Sequence, residues 1–169
     1  KAIKLKKTLK IGFLTEFALP IDLSEDSKKA VLYNAKLCSD LGHEIEEMKI
    51  NYDAMDLAKA FLILIACHTS QLLEELRILC GKKYKSSELE NTTRMLDYVG
   101  KSFSGYDYAY ARHTIQVISR QVVQQTEPYD VILLPIISEL PVFIGDLRPK
   151  KTDELLNSLV MNLKLGWIF

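Results

Sequence analysis

The pentapeptide His43-Glu44-Ile45-Glu46-Glu47 has the opening of the zinc motif HExxH, in which two histidines one helical turn apart hold the metal and the glutamate acts as base. Its fifth position holds Glu47 instead of the second histidine. The segment also reads as a strand, where residues i and i+4 do not converge as they do on a helix, so it is a solvated strand edge and no metal site. A cysteine and histidine pair could serve nucleophilic catalysis, and His68 follows Cys67 while His113 follows Arg112. Neighbours on a helix point about 100° apart, so both are read as helix histidines with no nucleophile in reach. Ser102-Phe103-Ser104-Gly105 lacks the GxSxG pattern and its preceding strand, and marks the end of a helix. GxGxxG and GxxxxGK[ST] are both absent, which leaves dinucleotide and P-loop phosphate binding without support. Tyr106, Tyr108 and Tyr110 spread around a helix axis, which suits core and interface packing better than a stacking platform. No catalytic constellation, metal site or organic cofactor site is assigned.

A pocket wall is more legible than a catalytic group. In Glu127–Leu147, "EPYDVILLPIISELPVFIGDL", the apolar run Val131–Leu134 is expected to form a strand buried on both faces. It empties into a loop stiffened by Pro135 and Pro141, a common way for α/β proteins to build one side of a ligand site. The candidate substrate-binding residues are Ile136, Leu140 and Phe143 on this loop, with Trp167 and Phe169 at the end of the chain.

The elements around the wall follow from spacing. "LKIGFL" at Leu9–Leu14 is a first strand. A helix follows, with Asp22 and Glu25 as a capping box, Val31, Ala35, Cys38 and Leu41 on its inner face, and Gly42 as its C-terminal glycine. "HEIEEMKI" at His43–Ile50 is the second strand, and connections this tight imply a βαβ unit with parallel strands. Helices are expected from Asp53 to about Leu79, from Ser87 to Phe103 and from Tyr106 to Gln125. The last buries Ala111, Ile115, Ile118 and Val122 and exposes Arg112, Gln116, Arg120 and Gln124. Thr152 can cap a final helix striped by Leu155, Leu156, Leu159, Val160 and Leu163.

Composition narrows the partners. Lys plus Arg and Asp plus Glu both number 22 in 169 residues, which removes the basic footprint of a nucleic-acid binder. The apolar run Ala60–Cys67 is far shorter than the roughly 20 residues that span a bilayer, and is read as a buried helix. Cys38, Cys67 and Cys80 are odd in number and lack CxxC spacing, as expected of reduced core thiols in a cytoplasmic protein. The basic start without an apolar leader core and the finish on Trp167-Ile168-Phe169 fit an excised piece of a larger domain.

Wording and order together resemble a family. "LKIGFL", "LCSDLGHEIEEM" and above all "SGYDYAYAR" running into "YDVILLP" are similar to the region after the catalytic core in the amidase signature family of serine amide hydrolases. That resemblance implies an α/β fold, a fragment of a mixed β-sheet covered by helices, in which a βαβ unit is followed by a helical insertion. It implies serine acyl-enzyme hydrolysis of a small-molecule amide in the full-length parent, without cofactor. The family's lysine and two serines lie in upstream segments, and no Gly/Ser-rich signature run is present here, so residues 1–169 are expected to be one partial, inactive domain. Members commonly have threonines where this chain has Leu134 and Ile136. The greasier wall points to acyl, aryl or linear amides and away from glutaminyl-tRNA. The expected partners are the remainder of its own polypeptide and, in a homo-oligomer, a second copy. The rival reading is a non-catalytic α/β binding or oligomerisation module.

Overall fold

The computed structural model describes residues 7–18, 23–139, 141 and 143–145. Their order is strand β1 (Lys10–Phe13), helix α1 (Glu25–Asp40), strand β2 (Glu44–Glu47), helix α2 (Ala54–Cys80), a 3₁₀ turn (Ser86–Glu88), helix α3 (Asn91–Ser102), helix α4 (Gly105–Thr126) and strand β3 (Val131–Leu133). The chain falls into two compact units. One holds the sheet, α1 and the end of α4 from Arg120, and the other holds Asp53–Ser119.

In the sheet unit β1 is central and pairs in parallel with both neighbours, in the order β2-β1-β3. Ile11 stands opposite Ile45 on one side and Val131 on the other. This is the α/β class expected, and the three described strands are all parallel. The βαβ connection turns where glycine allows it. Leu41 closes α1, and Gly42 takes a φ of 89°, a left-handed value that costs a residue without Cβ nothing. His43 N–H then reaches Cys38 C=O at 3.1 Å and Gly42 N–H reaches Ser39 C=O at 2.9 Å, the paired bonds of a Schellman end. At its other end the helix is capped by Ser24, whose Oγ accepts from Ser27 N–H at 3.3 Å. Asp22, the cap expected from sequence, lies outside the described residues.

Period-two alternation sorts β1 between two faces. Ile11 is buried on one, while Gly12 and Leu14 face Met48, Tyr129 and a core of Leu14, Met48 and Ile50. Tyr52, Val122, Tyr129, Ile132 and Leu134 pack around that core. Two expectations change here. Val131 is 44% exposed, and Ile132, Leu133 and Leu134 are only half-buried, so β3 is not covered on both faces among the described residues. Among the described residues it is an edge strand with one neighbour, and an apolar run alone does not reveal how much of it is covered. Leu41, placed on the inner face of α1, is 69% exposed because it follows the last helical turn.

In the helical unit Asp53 caps α2 through Asp56 N–H at 2.9 Å, and Gly81 ends it in the left-handed region. α2 packs against α3 at a close backbone approach. A Cβ on Gly100 would collide with the carbonyl of Ala66, which is fully buried. Ser70 Oγ donates to Asp97 C=O across the same contact at 2.9 Å. α3 begins at Asn91, later than expected, because the preceding residues form the 3₁₀ turn. α4 starts on Gly105. Ser104 Oγ accepts from Asp107 N–H at 3.1 Å, and the Asp107 carboxylate accepts from Ser104 N–H at 2.8 Å, a reciprocal cap. Ala111 and Ile118 are buried and Ile115 and Val122 half-buried, while Arg112, Gln116, Arg120 and Gln124 are exposed, as their spacing predicts.

The Ala60–Cys67 stretch is not the buried helix expected. Only Ala60 and Ala66 of it are buried, and Leu62 is exposed. By length and composition alone α2 could cross a membrane, and 17% of its most apolar window is buried. The thiols differ too: Cys38 and Cys67 are half-buried, whereas Cys80 is exposed and is no core residue.

Candidate functional site

Parallel sheets place ligands beyond the carboxyl ends of their strands. In the sheet unit that edge gathers Leu14, Thr15 and Glu16 after β1, Glu47 and Lys49 at the end of β2, and the Leu134–Glu139 loop after β3. Thr15 Oγ1 donates to Glu47 at 2.6 Å, and Lys49 Nζ meets Glu16 at 2.7 Å. The Lys49 hydrogen bond and charge hold the Glu16 carboxyl below the usual range, and Glu16 raises Lys49 in return. Both remain exposed, so the pair is charged at neutral pH and open to water. Pro135 and Ser138 are buried, and Ser138 C=O accepts from Ser24 N–H at 2.7 Å, which ties the loop to the start of α1.

The expected wall residues divide. Ile136 is 88% and Phe143 is 86% exposed, so neither is a core residue in the described structure. Leu140, Trp167 and Phe169 lie outside the described residues, as do Thr152 and the stripe from Leu155 to Leu163. Sequence reasoning passed over Thr15, Glu16, Lys49 and Ser138. The signal was available: each lies within a few residues of the end of an apolar strand pattern, where a parallel sheet collects its polar groups.

The other candidates resolve locally. His43 Nδ1 accepts from Leu9 N–H at 3.3 Å, so its ring trims the sheet edge. His68 and the Tyr108 hydroxyl are 3.3 Å apart with their rings edge to face. Tyr106 and Tyr110 stack on each other one turn apart, and their exposure corrects the expectation of core packing. Burial and the Asp107 charge push the Cys67 thiol up, away from the thiolate form a nucleophile needs. Among the described residues no cluster of three or more His, Cys, Asp or Glu could hold a metal ion.

Geometry therefore shows an α/β scaffold with an apolar loop beside an acidic and basic rim. The profile of the family described as Amidase matches residues 1–168, and the chain belongs to that family. Solved structures agree at the level of fold. The 6-aminohexanoate cyclic dimer hydrolase matches with a TM-score of 0.79 and 17% identity, over 85% of this chain and 30% of that one. Its complex with substrate gives the same TM-score at 19% identity and the same coverage. A bacterial aryl acylamidase of the amidase signature enzymes matches with a TM-score of 0.64 and 18% identity, over 80% of this chain and 28% of that one. The chain thus spans less than a third of the length of these relatives. Among curated proteins none matches.

Proposed function

We propose that residues 1–169 are a segment of a serine amide hydrolase, and that they contribute scaffold and one apolar pocket wall while the nucleophile and base come from elsewhere in the polypeptide. The family match over residues 1–168 carries this reading. In the parent, a serine Oγ attacks the amide carbonyl, the C–N bond breaks and the amine leaves with a proton. Water then cleaves the acyl ester and restores the hydroxyl. Ile136 and Phe143, projecting from the loop beyond β3, would meet the acyl or amine portion of the substrate together with Leu140, Trp167 and Phe169. An apolar wall with few polar groups suits a small uncharged amide. Hydrolysis of linear or aryl amides fits that wall, and the name of the aryl acylamidase among the solved relatives is in keeping with the aryl case.

Extending the reading frame upstream tests the proposal. A Gly/Ser-rich segment with a lysine before it is expected, and the longer protein should be labelled stoichiometrically by a fluorophosphonate and lose anilide hydrolysis when labelled. A longer protein with no such segment, or one that hydrolyses anilides while refusing the label, would overturn it.

A further inference from the structure

The loop that leaves β3 is pinned at both ends. At its start Leu133 C=O accepts from Leu14 N–H at 3.0 Å, and five residues later Ser138 C=O accepts from Ser24 N–H at 2.7 Å. Pro135 is buried, and Ser138 has no exposed surface at all. Among the described residues from Leu134 to Glu139, Ile136 alone is exposed, at 88%. The loop is therefore a short arch with a buried foot on each side and one apolar side chain at its crest. A loop free at one end would fold that isoleucine inward, because burial removes apolar surface from water. Two anchors this close together hold it out.

The feet differ in kind. Proline supplies the first, since its ring fixes φ and needs no partner for an N–H. The second depends on Ser24, which caps α1. Its Oγ accepts from Ser27 N–H at 3.3 Å and lies 3.0 Å from Ser27 Oγ, so the side chain serves the helix while the backbone N–H serves the loop. At its other end α1 turns through Gly42 into β2, which pairs along β1. The second foot thus stands on the frame of the sheet.

We infer that the Ser24–Ser138 bond is a positioning contact that fixes how far Ile136 projects into the substrate pocket, and thereby the size of the amide group accepted. This rests on the reading of these residues as one wall of an amide hydrolase. Ser24 and Ser138 act through Ile136 and touch no reacting atom. An apolar pocket discriminates by one methylene about tenfold or more only while its wall cannot retreat.

The test uses the longer protein and two sets of amides, one lengthened in the acyl group and one in the amine, with discrimination read as the ratio of kcat/KM between long and short members. Ile136→Ala shows which set meets the wall. In that set Ser24→Pro removes the N–H and sets a ring carbon against Ser138 C=O, at a position whose φ of −59° suits proline. It should reduce discrimination about fivefold, the worth of one hydrogen bond, through KM and with kcat changed less than about twofold. Ser24→Ala keeps the N–H and loses only the cap, so it should melt earlier yet retain the wild-type discrimination. Should Ser24→Pro misfold, Ser138→Gly loosens the same foot and should move the ratio in the same direction. Wild-type discrimination in the folded loop variant would overturn the inference, as would a loss in Ser24→Ala equal to that in Ser24→Pro. If Ile136→Ala changes neither set while a fluorophosphonate still labels the protein, the inference falls and the hydrolase reading stands. A longer protein that refuses the label removes both.

Discussion

Gly12 on β1 and Gly100 on α3 stand at close approaches in the two units, and what each meets differs. A Cβ on Gly12 would come 2.5 Å from Met48 Sδ and 3.0 Å from the Tyr129 ring, both side-chain atoms that can rotate away. A Cβ on Gly100 would meet the carbonyl of Ala66 and, at 2.5 Å, Ser70 Oγ. Backbone cannot give way without moving a helix. The sheet unit is therefore held by strand register with adaptable packing over it, and the helical unit by two backbones in contact. One tolerates a methyl group and the other does not.

Gly100→Ala is the strongest way to break that comparison. Overpacking against backbone costs about 3 kcal/mol, and the better helix propensity of alanine returns only about 1 kcal/mol, so a net loss near 2 kcal/mol is expected in a urea melt. Next comes the bond that ties the loop after α2 to α3. Tyr84 Oη donates to Asp97 at 3.0 Å and Lys101 Nζ meets the same oxygen at 2.7 Å, while the other Asp97 oxygen is buried without a hydrogen-bond partner. Tyr84→Phe should cost about 1 kcal/mol. Burial pushes the Asp97 carboxyl up, but hydrogen bonds from Lys101 and Tyr84 outweigh it and hold the group below its usual 3.8. Its contribution is therefore fully present above the unfolded value and lost as pH falls through the lower folded one. Melts between about pH 5 and pH 2 should show this acid loss in wild type and a smaller one in Asp97→Asn.

Gly12→Ala sharpens the contrast from the other side. Met48 and Tyr129 can turn aside, so a loss of about 1 kcal/mol or less is expected, below that of Gly100→Ala by the same melt. If the two losses are equal, the distinction between side-chain and backbone neighbours fails. The smallest effect is at the rim: Lys49→Ala removes an exposed ion pair with Glu16 and should leave the melt unchanged within error.

Local signals explain which features the sequence made legible. The glycine end of α1 at Gly42, the start of α2 beside Asp53 and the inner face of α4 at Ala111 and Ile118 depend on residues within a few positions, and all are present. The close approach of Gly100 to Ala66 joins positions 34 residues apart in sequence and leaves no local trace. The exposure of Val131 and Leu62 depends on what neighbours cover them, and apolar composition records only that they can be covered. For the candidate site, the loop after β3 was legible from its prolines and apolar residues. The rim of Thr15, Glu16, Glu47 and Lys49 was not, because it assembles only when the ends of β1 and β2 are brought side by side.

The division of labour proposed for these residues, wall and scaffold here and nucleophile elsewhere, is tested most directly by active-site titration. The purified 169-residue chain is mixed with an activated anilide in stopped flow, and the first turnover is read as released aniline. No burst and no turnover above buffer are expected, because the chain lacks the signature segment that would carry the nucleophile. A burst equal to the protein concentration would contradict the account, since a complete nucleophile and base would then have to lie within these residues.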